Sequence, residues 1–176
     1  MNEIYLIELS DKLKTVSNFS KIAVELIACK KLGVESSELE FGFNENGKPY
    51  LKSHPDFHFN ISHSKEKLAV AISDTPIGID IEKLREPDFR VAKRFFTERE
   101  IGYVGNNPNR FFEIWTKKEA YLKFKGTGLK FPLSDFDVTK NTKIITFEKE
   151  GFLISLCSEE SDFIIIELGE NYVKKC

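Results

Sequence analysis

Residues 115–129, WTKKEAYLKFKGTGL, constrain this chain more than any other stretch. On a helical wheel of about 100° per residue, Phe111, Ile114, Trp115, Tyr121 and Leu122 form one apolar stripe, and Gly126 supplies a stop. A helix must therefore pack here, yet Lys118 falls inside the stripe that has to be buried. Glu119 lies on its flank, with Lys123 one turn further on the same side. A lone lysine in such a stripe can snorkel its ammonium to water. As an i,i+4 pair, Glu119 and Lys123 contribute only about 0.2–0.5 kcal/mol. A charged ligand accounts for both features when they are joined to a second cluster upstream.

That cluster is residues 77–82, IGIDIE, with strict alternation. As a strand, it sends Ile77, Ile79 and Ile81 into a core and sets Asp80 and Glu82 together on the opposite face. Two carboxylates on one strand face repel unless a positive charge lies near. A solvent-facing strand accommodates them, and so does a hard divalent cation held by Asp80, Glu82 and a third carboxylate. Oxygen-only donors suit Mg²⁺ better than Zn²⁺. Residues 59–64, FNISHS, also alternate, and Ser62 and His63 stand where a strand end could meet a phosphate. Residues 44–49, NENGKP, read as a turn between two short strands, with Lys48 solvated unless the fold returns it to the same cleft.

Four pieces in this order resemble the 4′-phosphopantetheinyl transferases of the larger Sfp type: residues 47–49, 59–64, 78–82 and 115–129. Arg94, Phe95 and Phe96 with Glu98 and Glu100 are similar to the family's connecting helix, and the likeness runs from about Glu40 to about Val138. The resemblance implies an enzyme that moves the phosphopantetheine arm of coenzyme A onto a serine of an apo acyl or peptidyl carrier protein. It implies Mg²⁺ on Asp80, Glu82 and Glu119, with Asp80, Glu119 and Lys123 at the reacting centre. Lys48, Ser62, His63 and Ser20 are implied for the nucleotide's phosphates, and Lys118 and Lys123 for those near the transferred group. It further implies an α+β fold of two similar subdomains, residues 1–75 and 76–176, forming a pseudo-dimer in a monomeric chain. One departure is Ser17, which stands where the N-terminal helix of this type carries arginine.

The coarse order agrees with α+β: a strand at 4–8 and a helix with Phe19, Ile22, Ala23, Leu26 and Ile27 on one face. Strands follow near 39–43, 49–51, 57–62, 68–73 and 77–82, then helices over 88–104 and 108–124. The tail predicts strands near 135–139, 143–148, 151–157 and 162–168. A net charge of −2 gives no global attraction to nucleic acid or an anionic membrane, so any phosphate site must be local. Three scattered cysteines suit a reducing compartment, and no stretch reaches the length of a membrane span, so a cytoplasmic location is expected. The competing reading is a non-catalytic domain that holds coenzyme A or a carrier protein. Retention of Asp80, Glu82, Lys118, Glu119 and Lys123 together argues against it.

Overall fold

Strand alternation sets the architecture, and the computed structural model describes it for residues 1–9, 16–128, 131–169 and 172, without the side chains of 16 and 17. In β1 (Asn2–Glu8), Tyr5 and Ile7 point to one face and Ile4 and Leu6 to the other, all buried. A strand apolar on both faces must be covered on both. Helix α1 (Val16–Leu32) covers one side with Phe19, Ala23, Val24, Ile27 and Ala28. Its buried arc is rotated from the expected one, leaving Ile22 40% exposed.

After α1 come a short hairpin of β2 (Phe41–Phe43) and β3 (Pro49–Leu51), then β4 (His58–Ser64), β5 (Lys67–Ser73) and β6 (Ile77–Lys83). Three helices follow: α2 (Arg90–Phe95), α3 (Glu98–Val104) and α4 (Pro108–Lys125). The last strands among the described residues are β7 (Ile144–Lys149), β8 (Phe152–Ser158) and β9 (Phe163–Leu168). The single helix expected over 88–104 is split. Thr97 takes an extended conformation and starts α3 with a capping box, its hydroxyl accepting from the Glu100 amide while Glu100 accepts from the Thr97 amide.

One sheet has the order β4-β5-β1-β9 and the other β6-β8-β7. Apolar clusters divide the molecule into layers. Tyr5, Ile7, Leu68 and Val70 meet α1, and Leu153 and Cys157 meet the α2–α4 side. Between the sheets pack Ile4, Leu6, Ala69, Ala71, Ile77, Ile79, Ile81, Phe152, Ile154 and Leu156. The two halves are wired alike. In each, the first strand (β1 or β6) pairs antiparallel with the last of its own strands (β5 or β8), which pairs with the middle one (β4 or β7). The expected division at residue 75 separates the two sheets but not the whole chain, because β9 returns to pair parallel with β1.

At the seam, the polar face of β4 closes the edge of β6. Asn60 Oδ1 accepts from the Ile79 amide and Ser64 Oγ from the Lys83 amide, so backbone donors that no strand satisfies find side-chain acceptors. On the other side, α4 lies directly on β6. A Cβ at Gly78 would come 2.1 Å from the Ala120 carbonyl oxygen and 2.3 Å from the Phe124 nitrogen, so only glycine permits this approach.

The strand expected at 135–139 is absent; a 3₁₀ turn (Leu133–Asp135) leads into irregular chain. The reason is local. Carbonyls of Leu133 and Phe136 accept from the Lys118 ammonium, and the Val138 amide donates to Glu100. Two buried side chains satisfy the backbone groups that a ladder would otherwise pair.

Candidate active site

Helix α4 builds the site because both of its ends are fixed. Asn107 caps its start, accepting from the Arg110 amide, and Pro108 follows in the first turn. Gly126 ends it in the left-handed region at φ 65°. Held on Gly78, the helix turns Glu119 and Lys123 toward Asp80 and Glu82 on β6.

Asp80 is the centre of the cluster. Its Oδ1 accepts from Ser62 Oγ and from Lys123 Nζ, both at 2.7 Å, while its buried Oδ2 has no partner. Glu82 accepts from Ser64 Oγ and from Arg85. Burial pushes the carboxyls of Asp80 and Glu119 up, and charge from neighbouring carboxylates adds to it: Glu82 acts on Asp80, and Asp80 and Glu82 act on Glu119. Lys123 opposes both shifts. Among the described residues, no three such side chains already stand in a cation-holding arrangement.

The fold does return Lys48 to this cleft. It lines a cavity of about 280 Å³ together with Asn60, Glu119 and Lys123. Its ammonium donates to the carbonyls of Ile77 at 3.0 Å and Lys123 at 2.6 Å, and burial pulls its pKa down to about 8. Pro49 and Ile61 also wall a second cavity of about 490 Å³, lined by Ser20, Lys21, Phe41 and Phe59. Ser20 therefore sits next door to the charged cleft.

Other expected positions fall elsewhere. Lys118 does not reach the cleft, which corrects its assignment to the ligand's phosphates. It is fully buried, 2.8 Å from Glu100, and its other protons go to the carbonyls of Leu133 and Phe136. Phe136 also stacks its ring 4.4 Å from the ammonium. Those contacts use all three donors of the lysine. Burial pulls Lys118 down in pKa and the Glu100 carboxylate partly restores it. Ser62 points into the seam and holds Asp80, whereas His63, next in the strand, is exposed on the opposite face. The two do not meet at one point. Leu129 lies outside the described residues, as does the side chain of Ser17.

Sequence reasoning missed the residues that hold the cluster in place: Asn60, Ser64, Glu100, Asn44 and Asn46. A signal existed for the first two. Asn60, Ser62 and Ser64 share one face of β4 with the same two-residue period as Asp80 and Glu82 on β6.

The profile of the 4′-phosphopantetheinyl transferase superfamily matches residues 76–175. A 4′-phosphopantetheinyl transferase of Bacillus subtilis is 39% identical over 120 residues, 65% of this chain and 54% of that protein. The 4′-phosphopantetheinyl transferase gsp of Aneurinibacillus migulanus is 36% identical over 147 residues, 72% of this chain and 61% of its own. With the 4′-phosphopantetheinyl transferase Sfp of Bacillus subtilis strain 168, the identity is 31% over 163 residues, 81% of this chain and 73% of that one. The chain thus spans little more than half the length of the first two. With the matched profile covering more than half of the chain, and a relative 31% identical over 81% of it, the chain belongs to the 4′-phosphopantetheinyl transferase superfamily, in its Sfp-like type.

Proposed function

We propose that this protein transfers the 4′-phosphopantetheine arm of coenzyme A to a serine of an apo acyl or peptidyl carrier protein, with Mg²⁺, releasing adenosine 3′,5′-bisphosphate. The observation that carries the reading is the meeting of Glu119, Lys123 and Lys48 in one cleft beside a buried Asp80 with an unpaired oxygen. A buried carboxylate oxygen left without a partner costs free energy, which a cation or a donor in the cleft removes.

The residues fit Mg²⁺. Asp80, Glu82 and Glu119 offer only oxygen donors, and burial followed by repulsion from neighbouring carboxylates raises Asp80 and Glu119, which a cation between them would offset. When bound, Mg²⁺ would neutralise pyrophosphate oxygens and so favour phosphoryl transfer. The carrier serine oxygen forms the new bond to the phosphorus of the pantetheine phosphate, and the bond from that phosphorus to the bridging oxygen breaks. The serine proton passes to a base, for which Glu119 is the candidate after its role as ligand. Lys123, partly exposed in the cleft, stabilises charge gathering on the leaving bisphosphate. Among the described residues Lys48 keeps one donor uncommitted, and it supports the nucleotide's phosphates on the side that leads to Ser20 and Lys21. Ser62 acts through Asp80 by fixing its carboxylate.

Two subdomains are part of this proposal: residues 1–75, completed by β9, and the remainder of 76–176, related as a pseudo-dimer with the cleft at their seam. The like wiring of the two sheets supports it. The protein is further proposed to work in the cytoplasm as a monomer; no helix among the described residues is long and apolar enough to cross a membrane. The test incubates the protein with coenzyme A, Mg²⁺ and apo carrier proteins of several pathways, and reads each carrier's intact mass. A gain of one phosphopantetheine is expected on at least one carrier. Unchanged masses throughout would sink the reading.

A further inference from the structure

The end of α4 is finished by a distant part of the chain. A helix leaves its last carbonyls without intrahelical partners, and here three side chains of the β2–β3 turn supply donors. Asn44 Nδ2 and Asn46 Nδ2 each donate to the Gly126 carbonyl at 3.0 Å, and Lys48 Nζ donates to the Lys123 carbonyl at 2.6 Å. Asn44 has a second task, since its Oδ1 accepts from the amides of Asn46 and Lys48 and so shapes the turn that presents those donors. Gly126 admits them: its φ is 65°, and a Cβ there would stand 3.1 Å from Asn44 Nδ2 and 3.3 Å from Lys48 Cδ. A lysine ammonium at a helix C-terminus also complements the helix dipole.

Lys123 is consequently held at both ends. Its carbonyl is bonded by Lys48, and its ammonium by Asp80 and the Ile79 carbonyl. We infer that the β2–β3 turn is the C-terminal cap of α4, and that Asn44 and Lys48 are positioning residues which set the last turn of the helix, and with it Lys123 and Glu119, over β6. The effect on turnover rests on the transferase reading above; the capping itself does not.

Asn44→Asp separates the two tasks of Asn44, because a carboxylate still accepts from the turn amides but cannot donate to Gly126. Lys48→Met removes the other donor, and Glu45→Ala, at an exposed position of the same turn, is the control. Amide hydrogen exchange of the full chain should quicken at residues 123–126 by about tenfold in each variant, the size expected for one net hydrogen bond, with the first turns of α4 unchanged. Steady-state transfer from coenzyme A to an apo carrier should show kcat falling about tenfold or more in Asn44→Asp while KM for coenzyme A moves less than about threefold. Exchange unchanged at 123–126 overturns the cap. A raised KM with unaltered kcat in Asn44→Asp overturns the positioning role and makes Asn44 a ligand contact. A wild-type protein inert toward every carrier removes the transferase reading, and the exchange result still decides the cap.

Discussion

Lys118 and Lys123 sit on one helix, and each is paired with a carboxylate from elsewhere in the chain, yet the two pairs are opposite in kind. Lys118 and Glu100 are both fully buried, and every proton of the ammonium has an acceptor. Lys123 keeps 27% of its side chain exposed, and its partner Asp80 retains a buried oxygen with nothing bonded to it. The first pair is finished within the protein. The second lacks a charge. A charged residue in an apolar stripe is thus not in itself a mark of function; what separates the two lysines is whether their partners are satisfied.

The largest effect should come at the open end. Glu119→Gln keeps the shape of the side chain but removes its charge, and with it the proposed metal ligand and base. We expect transfer to fall about a thousandfold, within the range of general acid–base effects, with an unchanged circular dichroism spectrum. Near-normal rates with Mg²⁺ would reassign Glu119 and remove the contrast. At the closed end the expectation reverses. Lys118→Met leaves Glu100 buried without its cation, which should cost about 3–5 kcal/mol of stability in urea unfolding, while the folded fraction keeps its affinity for coenzyme A. Adding Glu100→Gln should recover part of the loss, since the orphaned charge goes with it. A Lys118→Met protein as stable as wild type but weak in coenzyme A binding would return Lys118 to the ligand.

Much of the open end was legible because its chemistry is periodic. Asp80 and Glu82 alternate with isoleucines, and Glu119 and Lys123 stand one turn apart, so strand and helix each present a charged face. Lys118 was misread for a physical reason. A helical wheel shows that a side chain enters the core, but not what waits there, and Glu100 and the carbonyls of 133–136 come from segments with no period linking them to α4. The same absence of pattern hid the real conformation of 135–139, whose alternating Phe136 and Val138 imitate a strand. Its backbone bonds go to side chains, and only tertiary packing brings those near. Asn44 and Asn46 looked like turn formers, and they are; their donation to Gly126 spans some eighty residues and leaves no trace in sequence.

A middle-sized effect should come from the lysine of the open pair. Lys123→Ala should lower kcat about ten- to a hundredfold, and KM for coenzyme A less, because in the proposed reaction its charge is used most as the leaving group departs. Equal losses in binding alone would make it a ground-state contact. Either result sharpens the contrast with Lys118, for which the loss is expected in stability.

The smallest effect concerns Lys48, a half-buried lysine which has carbonyl acceptors but, among the described residues, no carboxylate partner. Burial lowers its pKa from 10.5 to about 8. Between those values the unfolded chain binds more protons at this site than the folded one, so the site adds stability as pH rises through 8 toward 10.5 and adds none further below. Cys157 is a titratable neighbour to consider. Burial pushes its thiol up to about 12, so it stays neutral across this window. His58, lowered by its own burial and by the Lys48 charge, titrates below it. The stability of wild type relative to Lys48→Met, read by urea unfolding at steps from pH 7 to 10, should therefore climb with pH. A flat difference would mean that the two carbonyls compensate the burial of the ammonium in full. The cleft would then hold one finished lysine beside the unfinished carboxylates, and the unsatisfied charge would narrow to Asp80 and Glu119 alone.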